Sequence, residues 1–252
     1  MLLYLIRHGD PIYDPDSLTP LGHKQAAALA PRLVPLGFDK IFVSPMLRAK
    51  QTAAPTCEAL GIVPEEREFL CEDALFDKMS MPLPADVLST DEDGNPCIKT
   101  VEHVRWAFHQ QATNYKTADS YHMTDDWHTL PAFAQCKSLG PAFYEFTKKS
   151  DEFLAELGYV REGDHYRIEN PKYERVAVFC HQGVSLCWLS HMLSIPPHIL
   201  WGSFDVTHSG ISVIKFKNYQ NGITLPLCLC LSDTSHLFHA DLPLKYQGKL
   251  PF

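Results

Sequence analysis

The chain opens with the stretch Leu2-Leu3-Tyr4-Leu5-Ile6-Arg7-His8-Gly9, in which five apolar residues precede an arginine, a histidine and a glycine. A compact apolar run that ends in a polar, glycine-containing turn is typical of a buried parallel strand. Ligands of open α/β sheets bind just outside the carboxyl ends of such strands. The stretch therefore predicts a first buried strand that places Arg7 and His8 at a ligand-binding edge. Taken alone, the three residues also fit a surface arginine beside a capping histidine.

The same arrangement returns twice along the chain. Lys40–Val43 predicts a second buried strand, followed by Ser44-Pro45 as the N-cap and first residue of a helix that includes Arg48–Leu60. Arg175–Cys180 predicts another such strand, which leads into His181-Gln182-Gly183. Because a helix N-terminus and a guanidinium both bind phosphate, two histidines and two arginines at one sheet edge predict a phosphate cage.

Helices and further strands complete the pattern. Gly22–Leu36 and Val184–Leu193 have helical composition, while Ile211–Phe216 and Leu227–Leu231 predict two strands joined by a hairpin turn at Asn221-Gly222. Alternation of strands and helices at this spacing favours βαβ units. The fold class that we predict is α/β, a three-layer α/β/α sandwich with a mainly parallel sheet.

The middle of the chain departs from this regularity. We expect residues 76–172 to form a helical and loop insertion over the active-site edge of a single domain that spans residues 1–252. Prolines and an acidic turn predict a solvated loop over residues 77–97. Two helices are predicted after it, over Thr100–Tyr115 and Pro141–Leu157.

Composition narrows the classes of function. The net charge of −8 disfavours a general nucleic-acid or membrane-surface binder, because both need a basic face. The apolar run at the start is too short for a signal peptide, and no later stretch is long enough to span a bilayer. We therefore expect a cytoplasmic protein with no membrane or nucleic-acid partner and with its eight cysteines as buried free thiols. The oligomeric state is not determined by the sequence.

Together the motifs resemble the histidine phosphatase superfamily, whose fold is phosphoglycerate-mutase-like. The resemblance rests on four ordered matches: Arg-His-Gly at Arg7-His8-Gly9, Leu-Thr-x-x-Gly-x-x-Gln-Ala at Leu18–Ala26, Ser-Pro-x-x-Arg-Ala-x-Gln-Thr-Ala at residues 44–53, and a His-Gly-like strand end at His181-Gln182-Gly183. It covers residues 1–75 and 173–216 and does not account for the region between them.

The resemblance implies a catalytic set. His8 would be the nucleophile, and Arg7, Arg48 and His181 would surround the phosphoryl oxygens and stabilise their charge. Glu72, in the family's Leu-x-Glu pattern, would protonate the leaving alkoxide and then activate water. Because arginines supply the positive charge, no metal ion or cofactor is expected. The implied substrate is a small-molecule phosphate ester.

Three further residues are expected at the substrate. The backbone amide of Gln182 would add a phosphate contact, although many family members carry glycine at this position. Thr19 belongs to the second matched motif, and Tyr13-Asp14 stands in the register of the Trp-Asn pair of mutase-like members. A carboxylate at Asp14 would repel phosphate, which favours a hydrolase over a mutase. Phosphoglycerate-mutase-type transfer and a non-catalytic phospho-ligand binding module remain the alternatives.

Other acidic and histidine residues are discounted. Asp73 and Asp77 lie close to Glu72 and compete with it for the role of general acid. His236 and His239 are three residues apart, but no third ligand accompanies them in a pattern typical of a closed metal site. No metal ligand is therefore predicted.

Overall fold

The computed structural model describes residues 1–82, 104–109, 126–219 and 221–244. Its strands are β1 (Leu2–Arg7), β2 (Pro11–Ile12), β3 (Ser17–Leu18), β4 (Lys40–Val43), β5 (Glu65–Glu66), β6 (Ser80–Pro82), β7 (Val104–Trp106), β8 (Tyr159–Glu162), β9 (His165–Ile168), β10 (Arg175–Cys180), β11 (Ile211–Phe216), β12 (Ile223–Thr224) and β13 (Pro226–Asp233). Its α-helices are α1 (Pro20–Leu33), α2 (Leu47–Leu60), α3 (Glu72–Met79), α4 (Leu139–Glu156), α5 (Gln182–Met192), α6 (Pro197–Trp201) and α7 (Ser235–His239). Short 3₁₀ turns connect several of them.

A six-stranded sheet forms the centre, with the strand order β13-β11-β1-β10-β4-β5. Strands β1, β10, β4 and β5 are parallel, and β11 runs antiparallel to both β1 and β13. The register pairs Arg7 with Cys180 and Val43 with Phe179, so β1, β10 and β4 end at the same edge. This confirms the mainly parallel sheet and brings together the residues that follow each strand.

Successive side chains of the central strands face two separate cores, because a strand alternates its side chains between opposite faces. Ile6 packs in one core with Leu29 of helix α1. Leu5 packs in the other with Trp188 of α5 and Phe153 of α4. Helices therefore cover both faces of the sheet, which confirms the predicted three-layer α/β/α sandwich.

The loop after β1 packs so closely against the start of helix α1 that the two glycines at the contact have no space for a Cβ atom. A Cβ added to Gly22 would lie close to the carbonyl oxygen of Asp10, and one added to Gly9 would lie 2.7 Å from the carbonyl oxygen of Gly22. Thr19 caps α1, because its Oγ1 accepts a hydrogen bond from the Gly22 amide at 3.1 Å and donates one to Asp10 Oδ2 at 2.7 Å. These contacts hold the loop that carries His8 in one position.

The predicted start of helix α2 is wrong by two residues, since Met46 is the N-cap and Leu47 the first helical residue. The Ser44 hydroxyl lies 2.7 Å from His181 Nε2 instead of capping the helix. Asp16, from a different part of the chain, accepts a hydrogen bond from the Leu47 amide at 2.6 Å. Because Asp16 is 31 residues from Leu47, the sequence around the start of α2 does not indicate where the helix begins.

The loop predicted over residues 77–97 is wrong for its described part, because α3 continues to Met79 and β6 pairs with β7. The helix predicted over Thr100–Tyr115 is also wrong there, since residues 104–109 form a strand and a 3₁₀ turn. Met79 and Met81 are buried in the core, so tertiary burial outweighs the turn-like composition around them. The remainder of both predictions lies outside the described residues.

The hairpin predicted at Asn221-Gly222 does not join β11 directly to β13. The turn leads into β12, which pairs with β9, before the chain returns to the central sheet.

The prediction that the cysteines are buried free thiols is correct for four residues but wrong for Cys228, which is exposed because β13 is an edge strand. Among the other described cysteines, Cys57, Cys136, Cys180 and Cys187 are buried and free, whereas Cys71 and Cys230 are free but partly exposed. Cys97 lies outside the described residues.

None of the helices in the described ranges has the length and apolar character that crossing a membrane requires.

A cavity of about 950 Å³ lies at the edge of the sheet opposite the carboxyl ends of β1 and β10, and Leu2, Arg175 and Lys215 contribute to its lining. None of the predicted catalytic residues lines this cavity.

Candidate active site

Four of the predicted site residues lie together at the carboxyl edge of the sheet. His8 follows β1 and His181 follows β10, and their ring centroids are 5.1 Å apart. Arg7 is the last residue of β1, and Arg48 is the second residue of α2. All four side chains are buried. The fold therefore assembles two imidazoles and two guanidinium groups in a space shielded from water.

The His8 imidazole is held in one tautomer. Its Nδ1 lies 2.7 Å from the carbonyl oxygen of Gly9, which can only accept, so Nδ1 donates and Nε2 keeps its lone pair. Burial lowers the pKa of His8 well below its usual value, and the charges of Arg7 and Arg48 lower it further. A neutral ring with a free, oriented nitrogen is what nucleophilic attack requires.

The surrounding side chains leave buried nitrogens without partners. Among the residues that the structure describes, Arg7 Nε, Arg48 Nε and His181 Nδ1 make no hydrogen bond, although Arg7 Nη1 donates to the Val206 carbonyl at 2.5 Å. Buried polar groups are almost always paired in native proteins, so a cluster of unpaired ones indicates a ligand site. Guanidinium groups make this a site for an anion.

Glu72 lies within reach of the same space as the first residue of α3. Its Oε1 accepts a hydrogen bond from the Gly183 amide at 2.7 Å, and its Oε2 lies 3.5 Å from Arg48 Nη2 and 3.7 Å from His181 Nδ1. Burial raises the pKa of Glu72, and the charges of Arg48 and Arg7 oppose that rise only in part. A carboxyl group with a raised pKa is suited to donating a proton.

The competing carboxylates are less suited to that role. Asp73 Oδ1 also lies 3.5 Å from Arg48 Nη2, but the Asp73 side chain is 69% exposed. Asp77 is exposed as well. The structure therefore favours Glu72 as the proton donor.

The three other predicted substrate-binding residues, Thr19, Gln182 and Asp14, differ in where the structure places them. Thr19 is engaged in capping α1, and Gln182 begins α5 with its side-chain Nε2 donating to Asp205. Asp14 is exposed and makes no hydrogen bond or ion pair within the described ranges, so the structure does not bring it into the site. Asp16 approaches Arg48 instead, because the β2–β3 turn directs the later carboxylate inward.

Asp16 was missed by the motif analysis because nothing in its local sequence distinguishes it from other turn acids. Its Oδ1 accepts from Arg48 Nη1 at 2.7 Å. Burial alone would lower the pKa of Arg48, but Glu72, Asp16 and Asp73 outweigh it and raise that pKa. Asp16 therefore holds the guanidinium while also competing with a bound phosphate for it.

We expect Asp16→Asn to tighten inhibition by inorganic phosphate about threefold, because it removes a charge that competes for Arg48. The melting temperature should fall, since a neutral amide is a weaker partner for Arg48 and for the Leu47 amide. Asp39→Asn is the matched control, because Asp39 likewise accepts hydrogen bonds from backbone amides, those of Glu174 and Arg175, but at the opposite end of the strands. Weaker phosphate inhibition in Asp16→Asn would show that Asp16 chiefly orients Arg48.

His208 was also missed by the motif analysis. Its ring centroid lies 5.6 Å from that of His8, and its Nδ1 lies 3.7 Å from Asp10 Oδ1. Thr19 in turn donates to Asp10 Oδ2 at 2.7 Å. His208 therefore lies against His8, the predicted nucleophile, with Asp10 beside it, where it restricts the orientation of the His8 ring.

We expect His208→Ala to lower kcat by about tenfold with little change in KM, because a looser nucleophile reacts more slowly once substrate is bound. His208→Phe retains a planar ring and should recover most of the loss, which steady-state kinetics on p-nitrophenyl phosphate would show. If both variants raise KM and leave kcat unchanged, His208 contacts the substrate instead of packing against His8.

The site also has the composition of a metal centre. One ligand atom from each of His8, Glu72 and His181 lies within 4.8 Å of the others. Arg7 and Arg48 stand beside the same atoms, and their like charge opposes the binding of a divalent cation. The absence of a metal requirement therefore stays a prediction, with an experimental test given below.

Comparison with known proteins agrees with this geometry. Residues 3–81 match the Histidine phosphatase superfamily (branch 1). The chain is 25% identical over 215 residues to the adenosylcobalamin/alpha-ribazole phosphatase of Escherichia coli (strain K12), covering 80% of this chain and 83% of that protein.

Solved structures show the same fold. Phosphoserine phosphatase from Entamoeba histolytica, in complex with 3-phosphoglyceric acid, superimposes with a TM-score of 0.56 at 19% identity, over 94% of this chain and 98% of that one. Mycobacterial glucosyl-3-phosphoglycerate phosphatase superimposes with a TM-score of 0.54 at 18% identity, over 92% of this chain and 98% of that one.

Proposed function

Because the chain belongs to the histidine phosphatase superfamily, we propose that it hydrolyses small phosphate monoesters without a metal ion, through a phosphohistidine on His8. The observation that carries this proposal is the neutral, oriented His8 imidazole surrounded by unpaired buried nitrogens of Arg7, Arg48 and His181. An anion seated on those nitrogens would present its phosphorus to His8 Nε2.

In the first step His8 Nε2 attacks phosphorus, a P–N bond forms and the ester P–O bond breaks. Arg7, Arg48 and His181 stabilise the charge on the equatorial oxygens as it develops. Glu72, whose pKa is raised by burial, transfers its proton to the departing alkoxide. The products of this step are the free alcohol and a phosphorylated His8.

In the second step water attacks phosphorus and the P–N bond breaks. The Glu72 carboxylate accepts the proton from water and returns to its protonated state. Inorganic phosphate leaves, and His8 regains its neutral form. Each turnover thus consumes one ester and one water and yields one alcohol and one phosphate.

The relatives support a small-molecule substrate. Their names specify an alpha-ribazole, a phosphoserine and a glucosyl-3-phosphoglycerate phosphatase, so they share a phosphate ester and differ in the rest of the molecule. Hydrolysis is favoured over mutase-type transfer because Asp16, instead of the expected Asp14, places a carboxylate on Arg48. That carboxylate would oppose a second phosphoryl group in the same pocket.

The test is hydrolysis of p-nitrophenyl phosphate in the presence of EDTA, with release of inorganic phosphate measured in parallel. We expect turnover that EDTA does not change. Loss of turnover with EDTA that zinc or manganese restores would contradict the metal-independent mechanism. Binding of phosphate without turnover of any ester would support the non-catalytic binding module, and phosphoryl transfer between two diol hydroxyls would support the mutase.

A further inference from the structure

Two large aromatic side chains are exposed at the candidate site. Tyr13 is 47% exposed and Phe204 is 48% exposed, whereas most aromatic residues of the described ranges are buried. Exposed aromatic groups that border a polar pocket often mark a ligand surface, because an aromatic ring provides a large, rigid contact area. The placement of both residues follows from contacts with the phosphate-binding groups.

Tyr13 lies on the Arg48 side of the site. Its ring centroid is 5.3 Å from the guanidinium carbon of Arg48, within the range of a cation–π contact. Burial raises the pKa of the Tyr13 phenol, and the charges of Arg7, Glu72 and Arg48 also act on it. The phenol therefore lies close enough to these charged groups to interact with them, while part of the ring faces solvent.

Phe204 lies on the segment that contacts Arg7. The next residue, Asp205, accepts a hydrogen bond from Gln182 Nε2 through its Oδ1. The residue after that, Val206, accepts from Arg7 Nη1 through its carbonyl. Phe204 is thus two residues from a group that holds Arg7, on a segment fixed to the start of α5.

We propose that Tyr13 and Phe204 form a leaving-group subsite, and that the preferred substrates are phosphate esters of alcohols that carry a planar aromatic group. A phosphate bound by Arg7 and Arg48 together would extend its alcohol portion between the two aromatic residues. The inference rests on the proposed phosphatase function and adds to it a substrate class that motif comparison does not specify.

The test compares benzyl phosphate with cyclohexylmethyl phosphate. Both are esters of primary alcohols of similar size, so their kcat/KM ratio reports the planarity of the leaving group instead of its acidity. We expect a ratio of about ten to a hundred in favour of benzyl phosphate, because two ring contacts each contribute about threefold to tenfold. The double variant Tyr13→Leu with Phe204→Leu keeps apolar bulk, and its ratio should fall to about one.

The matched control replaces Tyr144, which is also 47% exposed, and Phe238, which is 86% exposed, with leucine. Both are placed by the structure on helices away from the site, and the ratio should not change. Binding of benzylphosphonate and cyclohexylmethylphosphonate, measured by calorimetry, provides a readout that does not depend on turnover.

The outcomes separate the two proposals. A ratio near one for both turnover and phosphonate binding overturns the aromatic subsite and leaves the phosphatase function intact. A preference for the aromatic compounds that survives the double leucine variant also overturns the assignment to Tyr13 and Phe204. A third outcome is that no ester is hydrolysed, but benzylphosphonate binds more tightly than cyclohexylmethylphosphonate and this difference disappears in the double leucine variant. The phosphatase function would then be wrong, and the aromatic subsite formed by Tyr13 and Phe204 would be supported.

Discussion

Replacing His8 with alanine is expected to lower kcat/KM for p-nitrophenyl phosphate by about 10⁴-fold or more, the scale on which enzymes lose activity without a covalent nucleophile. His8 is 1% exposed and its tautomer is set by the Gly9 carbonyl, so the variant lacks the one imidazole nitrogen that this carbonyl orients for attack. Rapid quenching of the wild-type reaction should trap a phosphorylated protein that is stable to base and labile to acid, as a phosphoramidate is. The alanine variant should trap none.

His23→Ala is the matched control, because His23 is an exposed histidine on helix α1. It should retain the rate and the trapped species of the wild type. The fold of His8→Ala is checked by its melting temperature and by phosphate binding, which Arg7, Arg48 and His181 should still support. Substantial turnover by a folded His8→Ala protein would contradict the phosphohistidine mechanism.

Replacing Glu72 with glutamine is expected to lower kcat/KM for an alkyl phosphate by about 10³-fold, within the range that general acid catalysis contributes. Glutamine can still accept the hydrogen bond from the Gly183 amide, but it cannot transfer a proton. For p-nitrophenyl phosphate the loss should be much smaller, about tenfold, because p-nitrophenolate leaves without protonation. The difference between the two esters is therefore the diagnostic measurement.

The pH dependence of kcat/KM follows from the shifted pKa values of Glu72 and His8. Glu72 must be protonated, so the rate should fall as the pH rises through its raised pKa. His8 must be neutral, so the rate should fall as the pH drops through its lowered pKa. We therefore expect an optimum between the lowered pKa of His8 and the raised pKa of Glu72, and the loss of the alkaline limb in Glu72→Gln.

Asp73→Asn is the control for Glu72→Gln, because Asp73 is the adjacent carboxylate and also approaches Arg48. Its side chain is 69% exposed, and we expect a change in rate of less than about threefold, as for most exposed ion pairs. An equal loss for both esters in Glu72→Gln would assign Glu72 to binding Arg48 instead of to proton transfer.

The elements that position the site were predictable from the chain itself. The apolar runs of β1, β4 and β10 identify buried strands by composition alone, and parallel strands that end together place His8, Arg48 and His181 at one edge. These are local patterns, because the burial of a strand is recorded in its own residues. Helix α4 was likewise predicted from the apolar face that it presents.

Only the tertiary structure decided the contacts between segments that are distant in sequence. The contacts of Asp16 with Arg48, of His208 with His8 and of Val206 with Arg7 all join segments that are tens to hundreds of residues apart. The residues that pair in this way are ordinary turn residues by composition, so no periodicity or motif marks them. The sequence by itself determined the sheet, the edge that holds the candidate site and the proposed nucleophile. Packing decided which acids and rings surround that nucleophile, because long-range contacts depend on how the layers fit together.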